Sequence, residues 1–264
     1  MGRAGRGGSA GAAAGSGGRG AAGATAGSPA AGSGSVTTEK FSFFVTSLGG
    51  MRELSKNNQG FGGNLKFGEA TGLAGADKIC TTLAEKSLPG SGAKGWRAFL
   101  STAKGGANDG PIHAKDRIGQ GPWFDRNARM VASSLNTLLQ NRPMDADPAI
   151  RDDLPNEEGV PNHTDTMAGM DDNHDTVTGS NAQGMYDNSN TCSDWTSTMG
   201  MSGQKGPAIG HSWPSQQSGV SWIRTHNAPG CAPSVALVQM GGGSGTGIGN
   251  GGGYGGIYCF ALQP

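Results

Sequence analysis

The stretch that decides the fold runs from Gly62 to Thr102. It reads Gly62-Gly-Asn-Leu65, then Gly72-Leu-Ala-Gly-Ala-Asp-Lys-Ile-Cys80, then Gly95-Trp-Arg-Ala-Phe-Leu-Ser-Thr102. A glycine turn leads into a helix, and a strand follows. Leu73, Ala76, Ile79, Cys80 and Leu83 recur at three- and four-residue spacing, which places them on one helix face. Asp77 falls in the early turns, where the helix dipole favours an anion, and Lys78, Glu85 and Lys86 suit the wet side. Pro89-Gly90 stops the helix. Cys80 is thus expected on the buried face, not as a reactive thiol. Residues 96–102 combine aromatic, branched and short side chains and read as a strand.

Working outward, composition sets the domain plan. After Met1, the first 37 residues hold no large apolar side chain before Val36 and are nearly all Gly, Ala, Ser and Arg. Such a segment cannot bury enough surface to offset its ordering entropy, so residues 1–37 are expected to be a disordered tether. A collagen-like stalk is the competing reading. Glycine keeps a three-residue frame at Gly2, Gly5, Gly8, Gly11, Gly17, Gly20, Gly23 and Gly32. The frame breaks at Ala14, Ala26 and Pro29, and a triple helix wants many prolines where this segment has one, so the tether is preferred. Residues 38–264 then form one domain. With 50 glycines in the chain and 34% hydrophobic residues, it should be loop-rich with short elements.

The formal net charge is zero, which argues against general electrostatic binding to nucleic acid or anionic lipid. No run of about 18 apolar residues exists, so no membrane-spanning helix is expected. The four cysteines, Cys80, Cys192, Cys231 and Cys259, form no Cys-x-x-Cys pair, and a zinc-ribbon reading fails on spacing. An even number of separated cysteines in a loop-rich domain points to two disulfides and an oxidising compartment, hence a secreted or cell-surface protein. Met1-Gly-Arg-Ala-Gly-Arg6 carries charge but no apolar run of the kind a signal peptide needs, so the expectation of export rests on the cysteines.

Elsewhere, Phe41–Ser47 reads as a strand, residues 49–68 and 103–121 as loops, and Val131–Leu139 as a short helix or a strand with a turn. Ten of the chain's 20 acids lie between Asp145 and Asp175 with no apolar periodicity, which predicts a long surface loop. Ile257–Leu262 is apolar enough to be a central strand, with Phe41–Val45 its natural neighbour.

The segment Gly72–Cys80 followed by Trp96-Arg-Ala-Phe-Leu-Ser-Thr102 resembles the endostatin domain, the C-terminal module of some basement-membrane collagens. Gly179-Ser180, Cys192-Ser-Asp-Trp195 and Tyr258-Cys259-Phe260 resemble later segments of the same family. The chain is similar, too, to endostatin-related, lectin-like domains of bacterial secreted and lipoprotein-type proteins. The resemblance spans about Phe41 to Pro264 and implies an α+β, C-type-lectin-like fold: a twisted, mostly antiparallel sheet, one or two helices and long loops. It implies disulfides Cys80–Cys259 and Cys192–Cys231. It does not carry the family's zinc site, because no histidine precedes His113, nor its heparin-binding arginine face, nor the Glu-Pro-Asn or Gln-Pro-Asp calcium motifs of sugar-binding relatives.

Four constellations could carry chemistry. Asp165, Asp171, Asp172 and Asp175 are the most compact set of hard oxygen donors for Ca²⁺, against the reading of a solvated acidic loop. His163, His174, Asp172 and Asp175, with His211 in reach, are a set for a transition metal. Cys192 with His211 or His226 would mimic a nucleophile and base, which a disulfide at Cys192 removes. Gly247-x-Gly-x-x-Gly252 matches a dinucleotide fingerprint only formally, since a strand follows where a helix is required. Trp213 and Trp222, in polar context, are the candidates for a ligand surface, whereas Trp195 beside a cysteine reads as core. Asn162-His-Thr164 is a glycosylation sequon. The resulting expectation is a non-enzymatic extracytoplasmic recognition or adhesion module that binds a surface polymer or protein through long loops. The alternatives are a metal-dependent enzyme and a purely structural surface protein.

Overall fold

The structure, a computed structural model, describes residues 40–164, 172–188, 190–200, 203, 205–214, 220–237 and 245–263. The tether assigned to residues 1–37 lies outside them, as do Asp165 and Asp171.

The fold is α+β. Strand β1 (Phe43–Val45) leads into helix α1 (Leu48–Ser55), and helix α2 (Gly72–Ser87) precedes strand β2 (Trp96–Ala98). A hairpin of β3 (Trp123–Phe124) and β4 (Met130–Ala132) is followed by the one-turn helix α3 (Leu135–Leu138). Then come β5 (Asp175–Val177), β6 (Ala208–His211), β7 (His226–Asn227), β8 (Gly253–Gly256) and β9 (Tyr258–Ala261).

The closing strand is central, as its apolar run predicts. β9 lies between β1 and β2, antiparallel to both, with Phe44 opposite Cys259 and Arg97 opposite Phe260. Alternation along β9 sends Cys259 and Ala261 into one core and Tyr258 and Phe260 into another. A strand covered on both faces has no polar side to show, which explains the continuous apolar sequence. Helix α2 covers the first face with Ala76, Ile79, Cys80 and Leu83, the stripe that spacing predicts. The Cys80–Cys259 disulfide joins that helix to the central strand, and Cys192–Cys231 forms the second bridge. The second face is packed with Phe43, Phe99, Trp123, Trp222 and Tyr258.

Three sequence expectations need correction. First, residues 49–68 are not all loop, because α1 occupies Leu48–Ser55, capped by the Ser47 hydroxyl on the Gly50 amide. Its glycines hid it. A Cβ on Gly50 would fall 2.7 Å from Leu83 and from Glu157, so close packing on α2 demands a residue that reads as a breaker. Second, Asp77 serves tertiary structure more than the helix dipole. It accepts two hydrogen bonds from Arg117 at 2.8 Å and one from the Ala98 amide at 2.9 Å, which pins α2 to β2. Third, the acidic stretch 145–175 is not wholly a surface loop. Glu157 is buried and accepts from the Ser47 amide and hydroxyl, and Asp175 opens a buried strand.

A second sheet, in the order β7-β6-β5-β8, carries the site. β5 and β6 are antiparallel, β6 and β7 likewise, and β5 runs parallel to β8. The segment after β2 ties it to the first sheet, for the Phe99 amide donates to Tyr258 and the Ser101 amide to Thr178.

Candidate functional site

Strand register assembles the site from residues distant in sequence. Asp175 pairs directly with His211 across β5 and β6, so both side chains stand on the same face. On the other side of β6, His226 pairs with Ile209. His211 is two residues on from Ile209, so it shares that residue's face and meets His226 diagonally. His174 precedes β5 and turns inward. His174, Asp175 and His211 are buried, and the His226 side chain is 26% exposed.

The imidazoles converge on one carboxylate oxygen. Asp175 Oδ1 lies 3.3 Å from His174 Nε2, 3.4 Å from His211 Nε2 and 3.2 Å from His226 Nε2. The Nε2 atoms of His211 and His226 are 3.3 Å apart. Around this centre, Asp172 Oδ1 lies 2.5 Å from His174 Nδ1, and His226 Nδ1 lies 3.2 Å from the Asn227 carbonyl. Thr225 Oγ1 lies 2.9 Å from His211 Nε2 and 3.1 Å from the Ile209 carbonyl. Arg142 braces the β6 end by donating to the His211 and Ser212 carbonyls at 2.7 Å.

The electrostatics follow from burial and these neighbours. Burial alone would raise the Asp175 pKa, but attraction from His211, His226 and His174 more than reverses it and holds the group at about 2. For His226, burial would lower the pKa, and the pull of Asp175 outweighs it and raises the value.

A glycine segment packs against the two carboxylates. Gly253 lies beside Asp175 across β5 and β8, and the Asp175 amide donates to the Gly252 carbonyl. A Cβ on Gly251 would fall 2.4 Å from Asp175 Oδ2, and one on Gly252 would fall 3.0 Å from Asp172. Within the run that mimics a dinucleotide fingerprint, Gly251 and Gly252 bring their backbone close to these two carboxylates.

The sequence-derived candidates are redistributed. Asp172, Asp175, His174 and His211 come together, as the transition-metal grouping requires. His163 does not join them. It is exposed and stacks on Trp213 at 4.0 Å between ring centroids. His226 takes the place given to His163. No helical spacing flags it, and only the pairing of β7 with β6 brings it in. Of the four aspartates grouped for calcium, Asp165 and Asp171 lie outside the described residues, and the neighbours of Asp172 and Asp175 are imidazole nitrogens. Trp222 is corrected outright. It is fully buried, donates its Nε1–H to the Leu138 carbonyl and packs against Phe99 and Tyr258, so it is core and not a ligand surface. Its polar sequence neighbours misled because a single large aromatic is enough to draw a loop inward. Trp213 is half-buried, donates to Asn173 Oδ1 at 2.8 Å and sits edge-on to His174 at 5.0 Å. Asn162 of the sequon is fully buried, with its amide donating to Ser212 and Asn173. Cys192 is held in a disulfide, which removes it as a nucleophile. A separate cleft of about 530 Å³ at the start of α2 is lined by Thr71, Leu73, Thr102, Lys104, Ile112 and Asp194, and it includes none of these histidines. No helix among the described residues is long and apolar enough to cross a membrane.

No protein-family model matches the chain, and no curated protein matches it, so the functional reading rests on this geometry.

Proposed function

We propose that the protein is a non-enzymatic, extracytoplasmic recognition module of endostatin-like, C-type-lectin-like fold that binds a surface polymer or protein through its loops. Two disulfides suit an oxidising compartment, and their pairing is the one the resemblance implies. The observation that carries the binding reading is the stack of Trp213 on exposed His163. Aromatic rings held at a surface by a hydrogen bond offer a rigid platform for sugar or peptide faces. Of the acid–base cluster beside it, His174, Asp175 and His211 are buried and His226 keeps 26% of its side chain exposed.

The test is binding of the purified chain to arrays of glycans, cell-wall polymers and matrix proteins. His163→Ala and Trp213→Ala should each weaken a positive interaction about tenfold, the scale of one lost aromatic contact. Unchanged binding in both variants would refute the platform. Turnover of the bound polymer would replace this reading with the metal-dependent enzyme.

A further inference from the structure

We propose that His174, Asp175, His211 and His226 hold one divalent transition-metal ion of the zinc class in a closed, four-coordinate structural site, with Asp172 as the positioning residue behind His174. This inference stands independently of the recognition reading.

The first argument is metric. Tetrahedral ligands at zinc distances of about 2.0–2.1 Å are separated from one another by about 3.3–3.4 Å. Four of the six separations here are 3.2, 3.3, 3.3 and 3.4 Å, and all four donor atoms lie within 4.8 Å of one another.

The second argument is the direction of lone pairs. His226 Nδ1 faces a backbone carbonyl and His174 Nδ1 faces Asp172, so in the neutral rings both Nδ1 atoms carry the proton. Each Nε2 then turns a lone pair toward Asp175 Oδ1, which is itself an acceptor. Among the described residues, neither oxygen of Asp175, nor Asp172 Oδ2, meets a donor in hydrogen-bonding geometry, although all are buried. Acceptors aimed at acceptors in a dry interior repel one another unless a cation lies between them.

The third argument is charge. Three neutral imidazoles with Asp172 and Asp175 carry two negative charges, which one divalent ion balances. The nitrogen-rich donor set selects zinc-class ions over calcium, which takes six to eight oxygens. Four protein ligands, three of them fully buried, leave no open position for a substrate, which marks a structural site. The ion would staple β5, β6 and β7 where the pairings are only three and two residue pairs long.

The competing arrangement has no ion. It protonates one imidazole against Asp175 and turns His211 Nε2 to Thr225 Oγ1. Elemental analysis of the purified full chain, followed by chelation and titration with Zn²⁺ or Co²⁺, separates the two. The expected result is one equivalent per chain and a tetrahedral Co²⁺ visible spectrum. His226→Gln, at the most exposed ligand, should abolish stoichiometric binding while both disulfides persist. Asp172→Asn should weaken affinity about 10–100-fold and keep the tetrahedral spectrum. No bound metal in folded wild-type chain, an octahedral Co²⁺ spectrum, or full binding by both His226→Gln and Asp175→Asn would overturn the proposal. If a variant fails to fold, wild-type stoichiometry and spectrum still decide.

Discussion

Removing the Cys80–Cys259 bridge, as Cys80→Ala/Cys259→Ala, is expected to cost more stability than removing Cys192–Cys231. The two bridges span 179 and 39 residues. The chain-entropy relation converts these loops to about 5 and about 4 kcal/mol. The smaller loop is nested inside the larger, so with Cys192–Cys231 intact the free contour shortens to about 140 residues. That changes the larger figure by only about 0.2 kcal/mol, because the dependence is logarithmic. Both sulfurs of the larger bridge are fully buried between α2 and β9, and truncation adds a cavity cost of about 1 kcal/mol. Whole-domain stabilities are about 5–15 kcal/mol, so the first double variant should be unfolded or barely folded. The second should remain folded with a lower midpoint. Denaturant unfolding followed by tryptophan fluorescence reads both, with intact mass confirming the surviving bridge. The reasoning fails if the order is reversed, or if losing the larger bridge costs under about 1 kcal/mol.

Two further outcomes follow from local geometry. Gly75→Ala would favour an isolated helix by about 1 kcal/mol, yet here it should destabilise by about 1–3 kcal/mol. Its Cβ would fall 2.0 Å from the Leu65 carbonyl oxygen and 2.1 Å from that of Lys66, both backbone atoms; a rise in the unfolding midpoint would contradict that approach. Burial raises the Asp125 pKa in the fold, and the hydrogen bonds and charge of Arg129 offset this only in part. The folded state therefore holds this proton more tightly than the unfolded chain. The stabilising contribution is complete below the unfolded value of about 3.9 and is lost as pH rises through the higher folded value. Asp125→Asn should flatten that slope in stability measured against pH, and identical profiles would refute the assignment.

The elements that sequence made legible are those whose burial is set locally. The α2 stripe and the apolar run of β9 carry periodicities of 3.6 and of a strand hidden on both faces, and a side chain's face follows from these alone. Helix α1 escaped because Gly50 satisfies packing against α2, not helix propensity. Trp222 escaped because its environment comes from Leu138 and Tyr258, remote in sequence. In the candidate site, the neighbouring pair His174-Asp175 is visible in the chain, and grouping them with His211 is already suggested by residue type. His226 could only be added by register, since its distance from Asp175 in sequence says nothing about the pairing of β7 with β6 and β6 with β5.

By itself, then, the sequence determined the helix–strand core around Cys80, the loop-rich character of the domain and the even set of cysteines suited to an oxidising compartment. Those properties depend on local spacing and composition. Only tertiary structure decided which histidines face Asp175, which tryptophan is buried and why a glycine run must be glycine. Each of these depends on the side chain across a strand or beneath a loop, and such neighbours are fixed by how distant segments pack.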